Sequence, residues 1–128
     1  MKITKKAIKE APQYIMTLDP KACGANNVEG FYKALGAEYY YKTLTATNIL
    51  EAMAEAESYY NETTYLITIA EKTGAADTDT DGVIYREILT TRGDHNWHVC
   101  DKAHSETPAL IAYNHEYKFF QIIDAYTE

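Results

Sequence analysis

Tyr65-Leu66-Ile67-Thr68-Ile69, then Asp77-Thr78-Asp79-Thr80-Asp81-Gly82, then Val83-Ile84-Tyr85 and Ile88-Leu89-Thr90-Thr91 is the stretch that decides the fold. Its two flanks are rich in β-branched and aromatic residues, which fit a pleated, half-buried surface. Between them lie Gly, Ala, Asp and Thr, the composition of a turn. The stretch therefore predicts a β-hairpin with the aspartates at its tip.

The tip also resembles the start of a calcium loop by spacing. Asp77, Asp79 and Asp81 occupy the first, third and fifth ligand positions, Gly82 the turn position, and Val83 would offer its carbonyl. The twelfth position calls for a bidentate glutamate and holds Ile88, while Glu87 sits one residue early. In a regular strand Glu87 faces away from Ile88, and only a bulge would re-aim it. Two readings follow: a solvated turn, or a weak calcium site of roughly millimolar affinity.

Working outward, Thr4 is placed to cap a helix from Lys5 to Ala11 that Pro12 closes. Tyr14 to Leu18 reads as a strand, and Asp19-Pro20 as a turn. Val28, Phe31, Tyr32 and Leu35 give one apolar helix face, capped by Asn26 or Asn27 and ended by Gly36. Glu38 to Thr45 reads as a strand. The clearest helix runs from Ile49 to Tyr60, with Asn48 as cap and Glu51 as its reciprocal partner. Ile49, Met53, Ala56 and Tyr60 form its expected buried stripe, with Glu51, Glu55 and Glu62 together on the opposite side. Trp97 to Cys100, Leu110 to Tyr113 and Lys118 to Ala125 are further strands, the last two joined by a turn at residues 114–117. Helices fall early and strands late. The expected fold is one α+β domain over residues 1–128: an antiparallel sheet of four to six strands with two or three helices packed on one face.

A chain of 128 residues with 46% hydrophobic content is an ordinary single domain. It contains no run of about 18 apolar residues, so no transmembrane helix is expected. The basic N-terminus lacks the apolar core of a signal peptide, which points to the cytoplasm and to Cys23 and Cys100 as free thiols.

Charge is informative by position. Residues 51–81 hold eight acids and one base, Lys72, so the whole formal charge of −7 resides there. Only Arg86 and Arg92 are arginines, and no basic stripe exists to meet phosphates, so direct nucleic-acid binding is disfavoured. The window suits a basic protein surface instead. Twelve tyrosines are many for this length, and tyrosine gives large contact area at low entropic cost. Tyr59 flanks the glutamate helix.

Other chemistry is weakly signalled. His95, His98, Cys100 and His104 hold zinc-ligand atoms, but their spacing fits no zinc motif. Cys100 beside His98 or His104 has the residue types of an activated thiol, without a legible oxyanion site. No glycine-rich phosphate loop or serine elbow is present. The expected function is a non-enzymatic interaction module without a cofactor. Its partner-binding residues would be Glu51, Glu55, Glu62, Tyr59, Asp77, Asp79 and Asp81, and one form it would take is an inhibitor occupying a partner's nucleic-acid-binding surface. The alternative is weak calcium binding by Asp77, Asp79 and Asp81.

Overall fold

The computed structural model describes residues 4–20, 41–60, 64–77, 81–91, 94–100, 109–115 and 119–125. Helix α1 spans Lys5–Glu10, strand β1 Tyr14–Pro20, β2 Tyr41–Thr43 and helix α2 Ile49–Glu57. They are followed by β3 Thr64–Asp77, β4 Gly82–Thr90, β5 His98–Val99, β6 Ala109–Asn114 and β7 Phe119–Ala125. The strands form one sheet in the order β2-β1-β3-β4-β6-β7, with every pair antiparallel. Strand β5 adds to the far end of β4, where Leu89 faces Val99 and Thr90 faces His98. No described helix is long and apolar enough to cross a membrane.

The β3–β4 hairpin is the spine. Asp77 faces Gly82 at the tip, and the pairing runs back to Thr68 facing Thr90. It is interrupted twice. Ile69 faces Leu89 and Ala70 faces Glu87, which leaves Ile88 as an extra residue in β4. That bulge lets Ile88 and Leu89, neighbours in sequence, both pack against the same cluster. Nearer the tip, Thr73 to Ala75 oppose Ile84 alone. Gly74 takes φ +88 there, a left-handed value that a side chain rarely adopts. Thr73 Oγ1 donates to Ile84 O at 2.9 Å and accepts from Ala75 N at 3.2 Å, so the bulge supplies its own hydrogen bonds.

Alternation along the strands divides the core in two. Tyr14, Met16, Leu18, Ile67 and Ile69 face one way and pack with Leu44, Ala46, Ala52 and Ala56. Ile15, Ala70, Val83, Tyr85, Ile111 and Tyr113 face the other way with Tyr41. Helix α2 rests on the first cluster, whereas α1 touches the second through Ile8 and Ala11. The two described helices thus lie against opposite faces rather than together on one.

Local corrections have local causes. Asp19-Pro20 is not a turn but the end of β1, reached through a register shift that sets Pro20 opposite Thr64. The predicted helix over 28–35 lies outside the described residues, as do Tyr39 and Tyr40. Helix α2 stops at Glu57, and its fully buried residues are Ala52 and Ala56, with Ile49, Met53 and Tyr60 half-buried around them. Small residues at the centre of the stripe let the helix approach the sheet closely.

Candidate functional site: the acids of residues 51–81

Helix α2 starts where Asn48 Oδ1 accepts the amide of Glu51 at 3.0 Å. Glu51 lies exposed in the first turn, where a negative charge complements the helix dipole. Leu50, beside it, is 74% exposed.

Glu55 does not join them. Its carboxylate turns back to accept Thr45 N at 3.0 Å, Ala46 N at 2.9 Å and Thr45 Oγ1 at 3.2 Å. Two carboxylates near a helix C-terminus oppose the dipole, and each here is given donors instead. Glu57 Oε1 accepts the indole N–H of Trp97, the single tryptophan, at 2.6 Å. Glu51 and Glu55 stand one turn apart on α2, and the extended segment at Thr45 and Ala46 runs past Glu55 and takes up its carboxylate. Glu62 lies outside the described residues.

Glu71 is also engaged. It faces Tyr14 across the β1–β3 ladder. Burial pushes the Tyr14 phenol above its usual range, and the charge and hydrogen bond of Glu71 push it further. The base of the window, Lys72, donates to Lys9 O at 2.9 Å and Ala11 O at 2.8 Å, capping the end of α1.

The hairpin aspartates stand apart from α2. Asp77, at the tip, lies eight positions along β3 from Ile69, beneath α2, at most about 26 Å at strand rise. Asp77 and Asp81 sit at the neck of the tip, half-buried, and both engage neighbours within the fold. Asp81 holds φ 53, a left-handed conformation that aspartate tolerates better than most residues. Asp79 lies outside the described residues. The flanks of the tip are strands, as read, and not the helices of an EF-hand. The bulge that would re-aim Glu87 exists, but opposite Ala70, far from the tip.

Tyr59 is half-buried against the α2 cluster, with Lys42 Nζ over its ring at 5.2 Å. That places a cation on the ring's negative face. Tyr60 packs beside it and stacks on His95 at 4.5 Å. The Tyr60 hydroxyl is buried with no partner in hydrogen-bonding geometry among the described residues, although Thr91 lies close enough to favour its ionised form. Burial is the larger effect and raises its pKa.

The histidines are distributed. His98 Nε2 meets Asp94 Oδ2 at 2.8 Å, His95 is on Tyr60, and Cys100 is buried with its amide bonded to Ile88 O. His104 lies outside the described residues, and among those described no three His, Cys, Asp or Glu side chains gather as a metal would require.

Sequence reasoning did not find the polar knot under the other face. Fully buried Tyr85 donates its hydroxyl to Pro12 O at 2.6 Å and meets His115 Nε2 at 3.0 Å. A phenol has one proton; with it committed to Pro12, His115 must present Nε2–H as donor. Burial drives the Tyr85 pKa up. A tyrosine at a core position of a strand was the available signal, but its partners are 73 and 30 residues away.

No protein family, curated protein or solved structure matches this chain.

Proposed function

We propose that this protein is a non-enzymatic interaction module whose acidic side engages a basic surface of a partner protein, as an inhibitor covering a nucleic-acid-binding surface would. The observation that carries the reading is the confinement of the chain's net charge to residues 51–81, with Glu51 and Glu57 on the exposed side of α2. Of the other proposed contacts, Glu55 and Tyr59 pack around α2, Asp77 and Asp81 make a second negative patch at the hairpin neck, and Glu62 and Asp79, outside the described residues, add to the charge of the same stretch of sequence. Such a field acts over about 8–10 Å at physiological salt, so it steers encounter more than it sets final affinity. The test is binding to an immobilised basic nucleic-acid-binding protein from the native organism at 50 and 300 mM salt. Glu51→Lys is expected to weaken capture and flatten its salt dependence; unchanged binding sinks the reading.

A second reading, calcium binding, draws on the β3–β4 register, which brings Asp77 and Asp81 to the two sides of one hairpin neck. Calorimetric titration to millimolar calcium tests it, and absence of heat removes it.

A further inference from the structure

The outward face of α2 is apolar and acidic at once. Leu50, Ala54, Glu57 and Ser58 recur at i, i+4, i+7 and i+8, share one side of the helix with Glu51, and are all exposed, as Glu51 is. Leu50, at 74% exposure, is the most open large apolar side chain among the described residues. A lone surface leucine is ordinary, but this one is set among carboxylates, beside Glu51 and two turns before Glu57. Ala54 lies at the centre of the face, where its small side chain lets a second backbone come close. Glu51 and Glu57 stand about 9 Å apart along the axis.

Charge selects what covers this face. A second copy laid face to face would set Glu51 and Glu57 against the same acids, and nucleic acid or anionic lipid would meet them with phosphates. A cationic protein gains from both carboxylates, and Leu50 gains only where that protein also offers apolar surface. We infer that the face docks an amphipathic helix of the partner protein, with Leu50 on its apolar stripe and Glu51 and Glu57 against lysines or arginines that border the stripe. The inference rests on the acidic side meeting a basic protein, and it names what that protein presents. Because α2 is short, one apolar anchor carries most of the affinity, and the charges steer the approach.

Two labelled helical peptides of about 18 residues test this against the full chain by fluorescence anisotropy. One has a leucine stripe bordered by lysines; the other keeps the lysines and has glutamine for leucine. The leucine peptide is expected to bind about tenfold tighter. Leu50→Gln, at an exposed position and with similar helix propensity, should remove that tenfold and leave the glutamine peptide's affinity as it was. Ala54→Gln should weaken the leucine peptide several-fold by holding the two helices apart. Glu51→Lys should weaken both peptides, most at low salt. Chemical-shift changes of the backbone amides on adding the leucine peptide should centre on residues 48–58. If Leu50→Gln leaves the leucine peptide's affinity alone while Glu51→Lys weakens it, the acidic side binds without an anchor and only the inference is overturned. Binding of neither peptide, or shifts centred away from α2, also overturns it. If the peptides bind and Glu51→Lys changes neither affinity, the acidic reading falls with it.

Discussion

The carboxylate of Glu55 closes over the backbone amides of Thr45 and Ala46, tying α2 to the segment that leaves β2. An acid that reads as surface charge is a structural acceptor. Removing it leaves the partly buried amide of Ala46 without its partner, which costs more than the bond itself contributes, while the exposed amide of Thr45 turns to water. Glu55→Ala is expected to destabilise by about 1–2 kcal/mol, and Glu51→Ala by under about 0.5 kcal/mol. Urea midpoints of the two variants decide it; equal losses would mean that Glu55 is not a support.

The hairpin, both described helices with their Thr4 and Asn48 caps, and the strands near 14, 110 and 119 were legible because each rests on local pattern: alternation, turn composition, cap chemistry. The roles of the acids were not. Whether Glu55 meets water or Thr45 depends on a contact ten residues away. Glu57 depends on Trp97, forty residues away, and Glu71 on Tyr14 across a ladder. Net charge is a sum over sequence, but the exposed part of it is set by tertiary donors.

The Trp97–Glu57 bond pins the segment after β4 to the end of α2. Glu57→Ala leaves the indole N–H to water and loosens the ring from the α2 cluster. Because the chain has one tryptophan, fluorescence reads this directly: a red-shifted, more readily quenched emission is expected, with a stability loss of about 0.5–1.5 kcal/mol. Glu57→Gln keeps an acceptor and should leave the spectrum close to the parent's.

Tyr85 sets the response to alkali. Its folded pKa is raised by burial above the ordinary value near 10, so the folded state holds the proton more tightly than the unfolded chain. Stability from this group is fully present below about pH 10 and declines as pH rises beyond the unfolded pKa. Tyr14 and Tyr60, also raised, act with the same sign. Tyr85→Phe should cost about 1 kcal/mol at pH 7 through the lost bond to Pro12, with a shallower loss of stability between pH 9.5 and 11. Urea midpoints at those pH values give the slopes, and parallel slopes would contradict the assignment.

Asp81 combines a left-handed backbone with one of the hairpin carboxylates, and two substitutions separate these properties. Asp81→Gly removes the charge while suiting φ 53, so thermal stability should hold within about 0.5 kcal/mol. Asp81→Val removes the charge and puts a β-branched residue where its side chain crowds the carbonyl, costing about 1–2 kcal/mol. Thermal melts of both give the backbone contribution. The Gly variant then isolates the charge: any loss of calcium heat or of salt-sensitive capture in a protein that still melts normally belongs to the carboxylate. Equal melts for Gly and Val would instead mean that the tip relaxes freely, and that the left-handed residue is not what fixes the Asp77–Gly82 register.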